Sequence, residues 1–236
     1  VRLRRGDFLF VVRLVIAAVA VVGHARADEF AVLIHLGCGL LQVVADASGH
    51  GMAAGLLMAI ADATLHIALE LDPSPVAVST LLQRAIWRTG DRRSFLTLFY
   101  ALLDPATGDV EYVCAGHPFP LLRRAGGAIE EPVLGSFPLG MRESVKPASG
   151  RLHLEPGDLL LLFSDGLFEG VDGSGQAFGF DRLRAALATG GAAARTHAQI
   201  LAAFEGHVGA EPLADDLTLV VVERLPPHLG RPHQRG

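Results

Sequence analysis

Three apolar runs of the chain stop at, or start from, an aspartate, and this pattern predicts buried β-strands. Continuous apolar stretches bounded by polar or glycine residues are typical of strands inside a packed sheet. The sequence therefore predicts core strands that each carry a carboxylate at one end. The runs are Leu40–Ala45 before Asp46, Leu159–Ser164 before Asp165, and Leu217–Glu223 after Asp215 and Asp216.

Apolar residues at helical spacing predict four helices. The first follows Gly51, and the second begins at Ser74-Pro75 and ends at Gly90. Serine is a favourable N-cap, and proline fits the first turn of a helix because its missing N–H has no partner there. The face of the first helix that we expect to be buried carries Leu56, Leu57, Ile60, Thr64 and Ile67. The remaining helices are predicted over residues 180–188 and 193–204.

A β-hairpin is predicted in the middle of the chain. Residues 95–103 and 110–115 flank Asp104–Gly108, in which proline presets φ and glycine allows a positive φ. Residues 120–124 supply a further strand. Hairpins combined with grouped helices, rather than regular alternation of strand and helix, are typical of the α+β class. Because no repeat or long linker divides the chain, we expect one main domain.

The first 27 residues leave three interpretations open: a buried strand pair, a signal or anchor, and a divergent or misread start. A basic start, an apolar run over residues 8–22 and Ala-Arg-Ala at residues 25–27 together resemble a secretory signal. However, Arg13 interrupts the run, which is shorter than the ~20 residues of a membrane-spanning helix. Its valine and isoleucine content favours a buried strand pair instead. Residues 1–27 are therefore an uncertain segment, and residues 225–236, rich in proline, histidine and arginine, are expected to be disordered.

Composition narrows the function classes. The chain has 236 residues, 25 acids against 20 bases, and a formal net charge of −5. Nucleic-acid binding needs a basic face that neutralises phosphates, and no dense basic run follows Arg5. The two cysteines, Cys38 and Cys114, stand in unrelated apolar surroundings without metal-ligand spacing. We therefore expect no nucleic-acid partner, no zinc site and two buried thiols.

The carboxylates at the strand ends are candidate ligands for a divalent cation. Asp46, Asp165 and Asp215 each lie where a core strand would hold them rigidly. Mg²⁺ and Mn²⁺ prefer oxygen ligands and keep several waters, so a few aspartates and a backbone carbonyl suffice. Any single Asp-Gly at a strand end is more often simply a turn. The joint occurrence of three such ends favours a metal site.

Five motifs in sequence order resemble those of SpoIIE-type phosphatases, the bacterial branch of the metal-dependent PPM (protein phosphatase 2C-like) serine/threonine phosphatases. Residues 46–59 (DASGHGMAAGLLMA) resemble the family signature D-[VA]-S-G-H-G-x-x-A-A-L-L-M-A. The resemblance spans residues 28–224 and implies an α-β-β-α sandwich of two mainly antiparallel sheets flanked by helix pairs. The other motifs are residues 97–100 (TLFY), 115–118 (AGHP), 164–169 (SDGLFE) and 215–221 (DDLTLVV).

The family's opening block, G-G-D-[FYW]-[YF]-D, is altered in this chain. Its first aspartate lies 18 positions before that of D-x-S-G-H-G, which corresponds to Asp28. Arg26 and Ala27 replace the two glycines, and Ala31 replaces the second aspartate. The key acid is present, but Arg26 could crowd the site or place a positive charge near it.

The resemblance implies a catalytic site that binds two Mn²⁺ or Mg²⁺ ions. In this arrangement Asp46 bridges the ions, the Ala47 carbonyl and Asp28 complete one side, and Asp165 and Asp215 bind from the other. A water between two cations loses a proton near neutral pH and attacks phosphorus, while the metals stabilise the developing charge. No phosphoenzyme is needed.

Other polar residues of the motifs are candidates for roles beside the metal ligands. His50, in the glycine turn after Asp46, is the candidate acid that protonates the leaving oxygen, and His117 is a weaker one. Asp216 either orients the metal ligands or caps a strand. Ser48 is not predicted to be a nucleophile because the G-x-S-x-G elbow is absent.

The resemblance implies a cytoplasmic protein phosphatase in sigma-factor regulation. Family members act on phosphoserine or phosphothreonine of STAS-type anti-sigma-factor antagonists, so the expected partner is a phosphorylated STAS-domain protein. No membrane is expected unless residues 1–27 anchor the chain. Two alternatives stay open: a catalytically impaired domain that binds a phosphoprotein, favoured by the altered block at Asp28, and a hydrolase of small phosphoesters. The helices over residues 51–88 correspond to the region that couples regulatory input to metal-site assembly in relatives.

Overall fold

The computed structural model describes residues 14–22, 29–36, 39–48, 52–90, 94–213 and 215–226. Within these ranges the chain forms ten strands and five helices. The strands are β1 (Leu14–Val22), β2 (Glu29–Leu36), β3 (Gly39–Ala47), β4 (Leu96–Leu103), β5 (Asp109–Ala115), β6 (Leu121–Arg123), β7 (Ile129–Glu130), β8 (Ser149–His153), β9 (Leu159–Phe163) and β10 (Leu217–Arg224). The helices are α1 (Met52–Leu71), α2 (Pro75–Thr89), α3 (Asp165–Glu169), α4 (Gly179–Ala188) and α5 (Ala193–Val208).

The strands form two five-stranded sheets. Sheet A has the order β1-β10-β9-β6-β7, and sheet B has the order β2-β3-β4-β5-β8. Neighbouring strands in both sheets are antiparallel. The predicted α+β fold, with two antiparallel sheets flanked by helices, is therefore confirmed.

The apolar residues form three layers of core, because successive side chains of a strand point to opposite faces. Phe99 and Leu162 belong to the layer between the two sheets, where Phe99 stacks on Tyr112 with ring centroids 5.6 Å apart. Leu98 faces the opposite way, into the layer between sheet B and helices α1 and α2. Leu161 lies in the third layer, between sheet A and helices α3 to α5. The layers match the predicted sandwich.

Helix α1 forms where predicted, but the face that we expected to be buried is only partly correct. Leu57 and Leu65 are buried, whereas Leu56 and Ile67 are 60% and 61% exposed. Apolar residues surround nearly the whole helix, so spacing alone does not select a face; docking on sheet B and α2 does. The next helix begins as predicted, with Ser74 at the N-cap and Pro75 as its first residue, although the Ser74 side chain makes no cap hydrogen bond.

Helix α1 also has the length and apolar composition needed to cross a membrane. Among the described residues it is the one helix with these properties. In its most apolar stretch 33% of the residues are buried within the fold. The core helix of a globular domain passes the same test, so this property is weak evidence for a membrane span.

Strand β1 lies inside the segment for which strand and signal were both open. It pairs with β10 from Leu14 opposite Arg224 to Val22 opposite Leu217. Residues 1–13 and 23–28 lie outside the described residues, as do residues 227–236 of the predicted disordered tail. The division of the chain into segments at residues 27 and 225 therefore stays a prediction.

Candidate active site

Asp165 and Asp215 lie side by side at one end of sheet A. Strands β9 and β10 are antiparallel, with Phe163 opposite Leu219, so the end of β9 meets the start of β10. Asp165 follows β9 and opens α3, and Asp215 lies two positions before the start of β10. Two predicted ligands that are 50 positions apart in the chain thus come together.

Hydrogen bonds from Ser164 lock the two segments in place. Its hydroxyl donates to the Asp216 carbonyl at 3.2 Å and accepts from the Thr218 N–H at 2.9 Å. Gly166, the residue after Asp165, packs against the same segment. A Cβ at this position would lie 2.3 Å from the Asp216 carbonyl oxygen. The S-D-G sequence therefore has a steric reason, because only glycine lets α3 approach the start of β10.

The carboxylates at this end repel one another. Burial and the negative charge of Asp215 raise the pKa of Asp165. Burial, Asp165 and Asp215 likewise raise the pKa of Glu169, which sequence reasoning did not select. A divalent cation would offset this repulsion, and carboxylate oxygens are the ligands that Mg²⁺ and Mn²⁺ prefer. The donor set therefore fits the implied metal.

Asp46 is the last residue but one of β3, in the facing sheet. Its backbone pairs with Thr97 of β4 on one side and with Glu29 of β2 on the other. The side chain of Asp46 is half-buried, while Ala47 is buried in the layer under α1 and α2. Because side chains alternate, Asp46 points away from that layer, toward the space between the sheets.

His117 shows that the two sheet ends face each other. Its Nδ1 lies 3.3 Å from the hydroxyl of Thr97, the strand neighbour of Asp46. Burial lowers the pKa of His117 to about 4, and the backbone of Phe163, two residues before Asp165, partly opposes this effect. The imidazole therefore contacts both sheets, through the Thr97 hydroxyl of sheet B and the Phe163 backbone of sheet A. Its Nε2 has no hydrogen bond of normal geometry within the described part of the chain.

The structure leaves part of the predicted site undescribed. Asp28 and His50 lie outside the described residues. In the remaining chain no three His, Cys, Asp or Glu side chains lie close enough to bind a metal ion together. The assigned ligand set of Asp28, Asp46, Ala47, Asp165 and Asp215 and the catalytic roles of Asp46 and His50 stay predictions.

Two further motif residues have structural roles. Ser48 Oγ accepts a hydrogen bond from the Phe95 N–H at 2.8 Å, which ties the end of β3 to the start of β4. Asp216 is buried, and its N–H donates to the Asp215 carboxylate at 2.9 Å. Thr97 and Glu169 lie within the sequence motifs but are not among the predicted site residues, since neither residue type by itself indicates a site. Only their position at the sheet ends does.

Residues 38–225 match the family of Stage II sporulation protein E (SpoIIE), so the chain belongs to the SpoIIE family. The chain is 28% identical over 127 residues to the phosphoserine phosphatase RsbU of Bacillus subtilis. That match covers 53% of this chain and 38% of RsbU, so the chain spans well under two thirds of this relative.

Solved structures share the fold. The SiaA-PP2C domain of Pseudomonas aeruginosa superposes with a TM-score of 0.76 at 19% identity, covering 90% of this chain and 86% of that domain. The catalytic domain of the serine/threonine phosphatase PstP, solved in complex with two manganese ions, has a TM-score of 0.62 at 20% identity. It covers 91% of this chain and 100% of that domain. These likenesses establish a PP2C-like fold.

Proposed function

We propose that this chain is a metal-dependent phosphoprotein phosphatase that hydrolyses phosphoserine or phosphothreonine. The observation that carries the proposal is the meeting of Asp165 and Asp215 at one end of sheet A, with His117 linking that end to Thr97, the strand neighbour of Asp46 in sheet B. Membership of the SpoIIE family and the similarity to the phosphoserine phosphatase RsbU support it.

The chain's own residues would hold two Mn²⁺ or Mg²⁺ ions through Asp46, Asp165 and Asp215, with Asp28 and the Ala47 carbonyl on one side. When bound, the ions supply a water that is acidic enough to ionise near neutral pH and positive charge for the phosphoryl oxygens. Ser164 keeps Asp165 and the start of β10 in register, so the carboxylates do not have to reorganise.

His50 is the residue that we assign to protonating the departing serine or threonine oxygen. It follows Asp46 by four positions in a glycine turn, and an imidazole can carry a proton near neutral pH. The proposed substrate is a phosphorylated STAS-domain antagonist of an anti-sigma factor, acting in the cytoplasm. Similarity to the phosphoserine phosphatase RsbU supports a phosphoserine substrate.

A phosphoester assay with and without metal tests the function. Turnover of p-nitrophenyl phosphate and of a phosphorylated STAS-domain protein should require Mn²⁺ or Mg²⁺ and disappear with EDTA. Asp46→Asn and Asp165→Asn should each reduce kcat/KM by at least about 100-fold, since even residues behind the metal ligands typically contribute 10–100-fold. Asp181→Asn, an exposed acid in the first turn of α4, is the matched control and should retain activity.

Three results would contradict or redirect the proposal. Absence of metal-dependent turnover in the parent would discredit it and favour the impaired phosphoprotein-binding domain, for which Arg26, Ala27 and Ala31 are the sequence signal. Turnover of the small ester alone would favour a small-phosphoester hydrolase. Unchanged activity in both asparagine variants would place the chemistry elsewhere.

A further inference from the structure

A cleft of about 540 Å³ lies beside the candidate active site. One wall is the end of β5 and the residues after it, including His117 and Phe119, and the other is the segment 135–146. Pro138 and Val145 add apolar surface, while Arg142 and Lys146 bring two cations. Neither the catalytic proposal nor the family motifs use these last four residues.

Hydrogen bonds to three different elements hold the cleft segment. Leu139 and Leu96, the first residue of β4, exchange two backbone hydrogen bonds of 2.8 Å. The Ser136 N–H donates to the Cys114 carbonyl at 2.8 Å. The buried Gln83 amide of α2 donates to the Arg142 carbonyl at 2.8 Å and accepts from the Gly140 N–H at 2.7 Å. The cleft is therefore preformed, and a ligand would not have to order it.

The cleft opens at the same end of sheet B as Asp46. Asp46 pairs with Thr97, and Gly116, at the end of β5, bridges to Leu98 on the next strand. Two inter-strand spacings of ~4.8 Å separate Asp46 from the cleft wall, about 10 Å in all. An extended peptide rises ~3.3 Å per residue, so it would cover this distance with about three residues.

The surface around the cleft is apolar and basic. Val133, Leu134, Phe137 and Met141 are between 38% and 66% exposed, an unusual concentration of large apolar side chains in one short segment. The Arg142 guanidinium lies 3.9 Å from the centroid of the Phe137 ring, which orients its charge. The cleft lining contains no acidic residue, although the chain carries a net charge of −5.

From this geometry we infer that the cleft binds the phosphoprotein substrate beside its phosphoserine or phosphothreonine. The occupant is an acidic segment with an apolar side chain about three residues from the phosphorylated position. The apolar side chain enters between Phe119, Pro138 and Val145, and the acidic groups pair with Arg142 and Lys146. This inference rests on the proposed function, and it identifies what makes a phosphoprotein recognisable to that site.

Synthetic phosphoserine peptides test the inference. Two acidic peptides carry a leucine and two glutamates, centred three residues before the phosphoserine in one peptide and three residues after it in the other. Two matched peptides carry alanines at the same positions. Fluorescence anisotropy with the full chain and EDTA measures binding without chemistry. Steady-state kinetics with Mn²⁺ measure KM and kcat. At least one acidic peptide should bind about tenfold or more tightly than its alanine partner, as expected for two ion pairs at a partly apolar surface.

The double variant Arg142→Glu/Lys146→Glu should remove this preference and raise KM for the acidic peptide, while kcat on p-nitrophenyl phosphate stays within about twofold. Arg195→Glu, which changes the charge of an exposed residue on α5 across sheet A, is the control and should keep the preference. Equal binding of acidic and alanine peptides by the parent, or an unchanged preference in the double variant, would overturn the inference. Preferred binding without any metal-dependent turnover would refute the proposed function alone.

Discussion

At the scale of single residues, His117 is the group whose chemistry depends most on the fold. The sequence places it in an A-G-H-P motif, where a histidine near metals could act as an acid. In the structure the ring is buried between the sheets, and burial lowers its pKa to about 4. At physiological pH the imidazole is therefore neutral and lacks the extra proton that an acid catalyst gives up. His117 is better suited to positioning Thr97 than to acid catalysis.

The same burial predicts a pH dependence of stability. An unfolded chain protonates this histidine near pH 6.5, whereas the folded chain does so only near pH 4. Between these values the unfolded state binds more protons, so the free energy of unfolding should fall as the pH drops from about 6.5 to about 4, by on the order of 3 kcal/mol. Below the folded pKa both states are protonated and the effect is complete.

Denaturant titrations between pH 7 and pH 4 measure this effect. His117→Asn should flatten that part of the profile, whereas His66→Asn, at an exposed position of α1, should leave it unchanged. Identical profiles for the parent and His117→Asn would show that other groups cause the dependence.

At the scale of elements, Arg123 of β6 caps the C-terminal end of α4. It ends β6 and donates to three carbonyls at the end of α4 and in the residues after it: Leu187 at 3.2 Å, Gly190 at 2.6 Å and Gly191 at 2.7 Å. The Leu187 carbonyl also accepts from the Gly190 N–H, and the Gly191 carbonyl from the Thr196 hydroxyl. Arg123 adds charged hydrogen bonds to these, and its positive charge favours the C-terminal end of the helix dipole. Sequence patterns predicted both β6 and α4 but not this connection.

Arg123→Met should reduce the free energy of unfolding by about 2–4 kcal/mol, because it removes three hydrogen bonds made by a buried charged donor. Arg182→Met is the matched control: Arg182 also donates to backbone carbonyls, those of Ala177 and Phe178, but from an exposed position. Its loss should cost about 1 kcal/mol or less. Equal losses in the two variants, measured by urea denaturation, would show that burial is not the cause.

Most elements could be predicted because their side-chain patterns are strong. The hairpin of β4 and β5, helix α2 and strand β10 form where the spacing of apolar residues and the turn residues indicated. Strand β8 was missed because its sequence, SGRLH, has no apolar run and depends on pairing with β5. Helix α3 was missed because five residues are too few for a periodic signal.

At the scale of the whole molecule, helices α1 and α2 pack on sheet B, the sheet that carries Asp46. Ala45 and Ala47, which flank Asp46, belong to the same buried cluster as Leu57 and Ala61 of α1. A shift of α1 would therefore reach the end of β3 directly. This arrangement is the physical basis for our hypothesis that the helix pair transmits a regulatory input to the metal site.

Overpacking α1 tests the hypothesis. Ala61→Leu, at a fully buried position, should displace the helix, destabilise the fold by about 1–3 kcal/mol and also weaken Mn²⁺ affinity and turnover. Ala63→Leu, on the exposed face of the same helix, should change none of these. Lower stability with unaltered metal affinity and turnover would contradict the hypothesis.

The sequence by itself determined the class of fold, the order of the motifs and the aspartates that we propose as metal ligands. Those features are local, because a strand's apolar run and its terminal Asp are neighbours in the chain. Only the tertiary structure decided which face of α1 is buried, that Asp165 meets Asp215, and that Arg142 and Lys146 line a cleft near Asp46. The physical reason is that periodicity reports which residues avoid water, whereas electrostatic and steric partners depend on segments that meet only when the sheets pack.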